Sequence, residues 1–189
     1  MTRRTTHTIL ATVALAALAI GAQARASVTV IGGGMAEACS KGTIHGKTGS
    51  QYERICTDAL EKEDLNARDR AGTYVNRGVL KMRRLDWAGA AADFNAAVEI
   101  SPKMGEAYVN RGAVAIGQHR YAESLPDLNK GLALGVEEPA KVYYNRGLAY
   151  EGMDDVKSAY FDYQKAVELS PDWDAPQKEL TRFHVERKE

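Results

Sequence analysis

The stretch Tyr74-Val75-Asn76-Arg77-Gly78 decides the fold of this chain, because it returns twice with a single change. It recurs at Tyr108–Gly112 and at Tyr143–Gly147, at intervals of 34 and 35 residues. Residues further along repeat in step with it. Self-similarity at this period is typical of a solenoid built from helical hairpins. Twelve positions after each glycine stand Ala90, Ser124 and Ala159, and sixteen positions after it stand Phe94, Leu128 and Tyr163.

The three glycines lie within otherwise helical patterns, where glycine costs about 1 kcal/mol relative to alanine. Glycine at a fixed period implies that a second helix approaches closely, and we expect the small residue twelve positions later to be the contact. The second helix of each hairpin then has apolar residues at helical spacing. Short polar breaks separate the two helices, at Arg84–Asp86, Gln118–Arg120 and Met153–Asp155.

This pattern resembles the tetratricopeptide repeat. The family expects an aromatic residue, a small residue four positions later, alanine where the helices cross, and then an aromatic, an alanine and a proline. The second copy departs from this pattern, with Ser124 and Gly131 for alanine. The resemblance implies an all-α fold, a helical-hairpin solenoid. Its repeats are predicted at 71–104, 105–139 and 140–173.

A cleavable leader is predicted over residues 1–26. Two arginines precede an apolar run from Ile9 to Ile20, and small residues follow it. The run is shorter than the roughly 20 residues of a transmembrane helix. This favours cleavage near Ala24 or Ala26 over an uncleaved anchor. We therefore expect a periplasmic or secreted protein with no stable membrane insertion after the leader is removed.

Cys39 and Cys56 are the two cysteines, and both follow the predicted leader. In an oxidising compartment such a pair is most simply a disulfide, and two buried free thiols are the alternative. Segment 27–70 is predicted as a degenerate hairpin, with helices near Gly34–Thr43 and Gln51–Glu63. The disulfide would clip these helices together and contribute about 3 kcal/mol in the chain-entropy description.

Residues 174–189 are predicted as a C-terminal capping helix. The stretch is helical in period but polar, and Leu180 and Phe183 can cover the last hairpin. A solenoid needs a solvated end helix, because a bare terminal repeat exposes its apolar side. A binding tail is the alternative interpretation of this polar segment.

Charge and motifs argue against nucleic-acid binding and catalysis. Without residues 1–26 the chain has 22 basic and 25 acidic residues, so it lacks the basic surplus expected of a nucleic-acid-binding protein. It has no H-E-x-x-H, G-x-S-x-G, S-x-x-K or phosphate-loop motif. The strand-like Val28–Ile31 precedes three glycines without the spacing of a dinucleotide fingerprint, so we interpret this region as a flexible lead-in. We expect no enzyme activity, no cofactor and no metal.

Function is therefore expected to come from the concave face, which the first helices of the hairpins line. Its inner positions follow i, i+1, i+4 and i+7, which gives an apolar groove with a ladder of asparagines. An asparagine amide both donates and accepts, so the ladder can hold a peptide backbone, as in similar repeat proteins. Satisfying the repeats themselves is the alternative role. The predicted groove residues are Val75, Asn76, Val79, Met82, Val109, Asn110, Ala113, Ile116, Tyr144, Asn145, Leu148 and Glu151.

We predict a non-catalytic adaptor or scaffold that binds a peptide or protein segment in this groove. A structural or oligomerising protein of the cell envelope, using its convex face or repeat ends, is the alternative. The family's clamp for acidic C-terminal peptides is not expected, because Val75 and Val79 replace its lysine and asparagine. The repeated arginines, at Arg77, Arg111 and Arg146, replace the usual leucine of the family and are expected to bridge to acids between repeats.

Overall fold

The computed structural model describes residues 7–11, 25–30 and 34–187, with side chains described for 25–30 and 34–184. Consecutive helices pack as hairpins, and each hairpin also contacts the next one along the chain. The result is an all-α solenoid. The helices are α1 (Met35–Ile44), α2 (Ser50–Lys62), α3 (Ala67–Arg83), α4 (Trp87–Ile100), α5 (Gly105–Gly117), α6 (Tyr121–Leu134), α7 (Pro139–Gly152), α8 (Val156–Leu169) and α9 (Asp174–Leu180).

The first predicted repeat begins earlier than its sequence pattern indicated. Helix α3 starts at Ala67, four residues before the predicted boundary at Ala71. The side chain of Asn66 explains the extra turn, because it accepts a hydrogen bond from the Asp69 N–H at 2.9 Å and so caps the helix.

The N-terminal hairpin consists of α1 and α2, whose ends lie within one residue of the predicted ones. The structure joins Cys39 to Cys56 by a disulfide, with a Cα–Cα distance of 4.9 Å. Both cysteines are fully buried, and Leu80 of α3 packs against them. The bridge therefore holds the two helices together where this hairpin contacts the first repeat.

The nearest contact of the repeated glycines differs from the one predicted. A Cβ on Gly78 would lie 2.5 Å from the Phe94 ring, and one on Gly147 would lie 2.7 Å from the Tyr163 ring. A Cβ on Gly112 would lie 3.0 Å from Leu128 Cγ and 3.2 Å from the Ser124 backbone oxygen. The nearest contact is therefore the large residue sixteen positions later, and in the second repeat the small residue twelve positions later also lies close to the glycine, as predicted. The reason is volume, since an aromatic ring fills the space between the helices and leaves no room for a Cβ on the facing backbone.

The three repeated arginines connect helices, but their acidic partners lie on the second helix of the same hairpin and not, as was predicted, in the neighbouring repeat. Each forms a two-pronged ion pair with an aspartate sixteen positions later, at 2.7–2.9 Å: Arg77 with Asp93, Arg111 with Asp127, and Arg146 with Asp162. Their remaining Nη1 donates to the preceding hairpin, to Thr57, Asn95 and Asn129 respectively. Each guanidinium also lies over the tyrosine three positions earlier, at 5.2–5.4 Å from the ring centre. Each arginine thus links the second helix of its own hairpin to the preceding hairpin.

The turns inside the three hairpins share one backbone conformation. Their middle residues, Leu85, His119 and Asp154, have φ values of 62°, 59° and 61°. This left-handed region costs an L-residue roughly 1–2 kcal/mol, and asparagine and aspartate tolerate it best. Leu85 is also 54% exposed, so little packing compensates for its conformation.

Replacing Leu85 with asparagine is expected to raise the free energy of unfolding by about 0.5–1 kcal/mol, because asparagine relieves this backbone cost. The matched control is Leu169→Asn, which changes an exposed leucine at the last residue of helix α8, and it is expected not to raise the free energy of unfolding. Denaturant unfolding of both variants measures the difference. A loss of stability in Leu85→Asn would contradict the turn assignment.

The C-terminal helix is shorter than predicted. Helix α9 ends at Leu180, and Phe183–Arg187 forms strand β2 where the prediction extended the helix. Strand β2 pairs antiparallel with β1 (His7–Ala11), with Phe183 opposite Ala11. Aromatic and β-branched residues favour extended backbone, and the Phe183 ring also packs on Tyr160 and Tyr163. The chain therefore leaves the helix and closes the solenoid with a ring contact.

The predicted leader lies mostly outside the described residues. Its described parts are β1 and Arg25–Ala26. In the ranges that the structure covers, none of the helices has the length and apolar character needed to cross a membrane.

Candidate functional site

The chain's own segment Arg25–Val30 lies across the first helices of the repeats, and asparagine amides hold its backbone. Asn76 of α3 donates to the Val28 carbonyl oxygen at 2.8 Å and accepts from the Val28 N–H at 3.1 Å. Asn110 of α5 likewise donates to the Ala26 carbonyl oxygen at 2.6 Å and accepts from the Ala26 N–H at 3.0 Å. Each amide therefore satisfies both backbone groups of one residue, and equivalent asparagines of successive repeats read every second residue.

Two further residues extend these contacts at the ends of the segment. In α1, Ser40 donates to the Val28 carbonyl oxygen at 3.0 Å and accepts from the Val30 N–H at 3.2 Å. In α7, Lys141 donates to the Arg25 carbonyl oxygen at 3.4 Å. We call the surface formed by Ser40, Asn76, Asn110 and Lys141 the trough. The segment crosses it in reverse order of the helices, from α7 towards α1.

Burial varies along the segment. Ala26 and Val30 are buried, Ser27 and Val28 are partly buried, and Thr29 is exposed. Gly72 of α3 provides the space for this contact, since a Cβ there would lie 2.9 Å from Val28 Cγ1 and 3.3 Å from Val30 Cγ2. The segment is thus an extended chain with small and β-branched residues facing inwards.

The twelve predicted groove residues have different roles in the structure. Eleven are buried, and Glu151 is partly buried. Asn76 and Asn110 hold the segment, but the apolar positions fill the core between helices and do not line an open groove. Val75, Val79, Met82 and Ala113 pack with Phe94 and Ala97, and Val109, Ile116, Tyr144 and Leu148 pack with Tyr163. The reason is geometric: closely paired helices bury the apolar side chains that the sequence pattern assigned to the concave face.

Glu151 belongs to an internal network and not to a surface for ligands. Its carboxylate accepts from the Tyr163 hydroxyl at 2.8 Å and from both Nη atoms of Arg182. Arg182 also pairs with Glu179, and Tyr144 donates to Glu179 at 3.4 Å. Burial, followed by the charge of Glu151, raises the pKa of Tyr163. The C-terminal segment therefore seals this end of the third repeat.

One side chain of the bound segment is poorly accommodated. Arg25 Nε is buried and has no hydrogen-bond partner in the part of the chain that the structure describes. Burial lowers the pKa of the Arg25 guanidinium. Burial and, second, the charge of Arg25 also lower the pKa of Arg83. The Arg25 end of the segment thus has an electrostatic cost, while Ala26 and Val28 have both backbone groups paired and Val30 has its N–H paired.

The chemistry of the trough is recognition of backbone. Its amide, hydroxyl and ammonium groups contact main-chain atoms, so they impose an extended conformation and little side-chain specificity. A cleft of about 430 Å³ flanks the segment at Ser27–Thr29. Within residues 7–11, 25–30 and 34–187 there is no group of three or more histidine, cysteine or acidic residues that could hold a metal ion.

The sequence did not indicate Ser40, Lys141 or the segment itself as parts of the site. If Cys39 takes the place of Arg77 in the repeat register, the ladder position falls on Ala38 and not on Ser40, so extrapolating the repeat misses the serine. The available signal for the segment was its alternation of apolar and polar residues, which is typical of extended backbone with one buried face.

Parts of this chain are similar to known proteins. Residues 140–172 match the family model of the tetratricopeptide repeat. The Hsp70-Hsp90 organizing protein of Triticum aestivum is 35% identical over 82 residues, which are 43% of this chain and 14% of that protein. The chain therefore spans about a seventh of the length of this relative.

Two solved structures are similar to large parts of the chain. MamA from residue 41 to its end, from Desulfovibrio magneticus RS-1, has a TM-score of 0.61 at 22% identity, covering 78% of this chain and 82% of that one. The Arabidopsis OM64 TPR domain has a TM-score of 0.58 at 20% identity, covering 62% and 96% respectively. The sequence period, the stacked hairpins and these matches together show a tetratricopeptide-like helical-hairpin solenoid, in which residues 140–172 match the model of the repeat itself.

Proposed function

We propose that this protein is a non-catalytic adaptor whose trough binds an extended segment of a partner protein. Tetratricopeptide-repeat proteins generally mediate protein–protein interactions and act as adaptors. The observation that carries the finer proposal is the pairing of Asn76 and Asn110 with the backbone N–H and C=O of alternate residues. Any extended chain offers the same groups at the same two-residue spacing.

The partner's chemistry can be inferred from the segment that now lies in the trough. Inward-facing side chains must be small or β-branched, because Gly72 and the neighbouring helices leave limited depth at Val28 and Val30. Outward-facing positions are free to be polar, as Thr29 is. We therefore propose an unstructured partner segment with alternating small or β-branched residues and without proline at the paired positions, since proline has no N–H to donate.

A peptide titration tests this function. The probe is the capped hexapeptide Arg-Ala-Ser-Val-Thr-Val, which has the sequence of residues 25–30, added in excess to the isotope-labelled full chain. We expect isotope-filtered NMR spectra to show contacts between the unlabelled peptide and the side-chain amides of Asn76 and Asn110. The amides of Asn95 and Asn129 are internal controls, because they accept hydrogen bonds from repeat arginines outside the trough.

A second peptide with proline in place of its valine at position four is the matched probe. It lacks the N–H that Asn76 accepts, so it is expected to bind at least about tenfold more weakly. Equal responses from both peptides, or changes confined to the control asparagines, would contradict binding in the trough. No binding together with a mass that grows with protein concentration would favour the structural, oligomerising alternative.

We also propose that the protein is exported and works in the periplasm or outside the cell. The predicted leader and the Cys39–Cys56 bridge support this location, because disulfides persist in oxidising compartments. Sequencing the N-terminus of protein recovered from cells tests it: a start at Arg25 would keep the whole segment that lies in the trough, a start at Ser27 would remove Arg25 and Ala26, and an intact Met1 would contradict cleavage.

A further inference from the structure

We propose that the segment Arg25–Val30 is a built-in occupant of the trough, and that a partner binds by displacing it. This inference rests on the function proposed above and adds its regulation. Asn76 and Asn110 each have their amide donor and acceptor engaged by the segment. A partner backbone therefore has to exchange with Ala26 and Val28, residue for residue.

Covalent attachment makes the occupant a strong competitor. Val30 precedes helix α1 by only four residues, and its N–H is bound to Ser40 of that helix. A short tether gives an effective concentration on the order of millimolar, without any new contact. The apparent affinity of a partner is then its intrinsic affinity multiplied by the fraction of molecules whose trough is free. Chains that bind the trough with low affinity are therefore expected not to displace the segment.

The same geometry shows where displacement begins. Arg25 leaves a buried donor unpaired and faces the positive charge of Arg83, so this end gains least from remaining bound. The cleft of about 430 Å³ at Ser27–Thr29 gives an incoming chain access beside the occupant. The Val28–Val30 end is the firmer one, because Asn76 and Ser40 share its backbone groups.

An alternating proline scan of the full chain separates occupancy from other effects. Proline at position 26 or 28 removes an N–H that an asparagine accepts. Proline at position 27 or 29 removes an N–H that has no hydrogen bond among the described residues, and it keeps the preceding residue extended. The variants are Ala26→Pro and Val28→Pro, and their controls are Ser27→Pro and Thr29→Pro.

The readout is the apparent Kd of the labelled hexapeptide Arg-Ala-Ser-Val-Thr-Val. We expect Val28→Pro and Ala26→Pro to bind it at least about tenfold more tightly than the unchanged chain, and the two controls to stay within about twofold. Adding Gly72→Leu to Val28→Pro is expected to abolish binding, because the leucine would fill the space that Val28 uses.

The possible results separate this inference from the proposed function. Binding that is tight and equal in all five proteins, and still sensitive to Gly72→Leu, would overturn self-occupancy while leaving the peptide-binding function intact. Absence of binding in Val28→Pro would overturn both. A mass that doubles with concentration in the unchanged chain, but not in Val28→Pro, would overturn the intramolecular arrangement in favour of a segment from a second copy.

Discussion

Replacing Arg146 with methionine is expected to lower the free energy of unfolding by about 3–5 kcal/mol, because it leaves a buried carboxylate uncompensated. Arg146 binds both oxygens of Asp162, at 2.7 and 2.8 Å, and the Asp162 side chain is only 9% exposed. Methionine keeps the aliphatic volume and removes the charge and all donors. Denaturant unfolding at neutral pH measures the loss.

The first repeat provides the matched control. Asp93 has a second cationic partner, since Lys81 lies 2.9 Å from it in addition to Arg77. Arg77→Met is therefore expected to cost clearly less than Arg146→Met. The double change Arg146→Met with Asp162→Leu should return to within about 1–2 kcal/mol of the unchanged chain, because neither partner is then left unpaired. Equal losses in the two single variants would contradict the role assigned to the buried carboxylate.

Reduction of the Cys39–Cys56 bridge is the second large effect expected. The two cysteines are 17 positions apart, and opening a loop of this size costs about 3 kcal/mol in the chain-entropy description. Thermal unfolding with and without reductant, in protein recovered from an oxidising compartment, measures it. The double variant Cys39→Ala, Cys56→Ala is the control and should not respond to reductant.

Loss of the bridge is also expected to loosen the trough. Helix α1 contributes both Cys39 and Ser40, and Ser40 binds the backbone of Val28 and Val30. A reduced protein should therefore release the N-terminal segment more readily than the oxidised one. If reductant leaves the unfolding temperature of the unchanged chain where it was, the bridge contributes no stability and this part of the account is wrong.

The repeat period predicted the fold because each hairpin needs the same residue types at the same positions. Glycine, an aromatic or leucine sixteen positions later and an arginine–aspartate pair recur, since the two helices of every hairpin pack in the same way. The period locates the contact regions but not the partners within them. The atoms nearest to a Cβ on Gly78 belong to the Phe94 ring, which occupies the volume between the helices.

The site was only partly predictable. Asn76 and Asn110 were predicted from their repeated position to hold a peptide backbone. In the structure their amides form hydrogen bonds with the backbone of the chain's own segment. The apolar groove residues were misplaced, because helical spacing does not distinguish a concave surface from the interface between paired helices. The occupant itself could not be predicted, since Ala26 and Asn110 are 84 positions apart and no periodic signal connects them.

The C-terminal end shows the same limit. The polar, helical pattern after Pro171 predicted a helix over residues 174–189, whereas α9 covers Asp174–Leu180 and contacts α8. The turn to strand β2 depends on Phe183 finding Tyr160 and Tyr163 and on pairing with His7–Ala11. Such contacts between distant parts of the chain are not visible in local periodicity.

Hydrogen exchange at the Val28 amide tests the central claim most directly. If Asn76 holds this N–H, its exchange in the full chain should be slowed by at least about tenfold relative to an unstructured peptide, and Asn76→Ala should remove most of that protection. The exposed Thr29 provides the comparison one residue away. A Val28 amide that exchanges as fast as an unstructured chain, or keeps its protection in Asn76→Ala, would contradict the account.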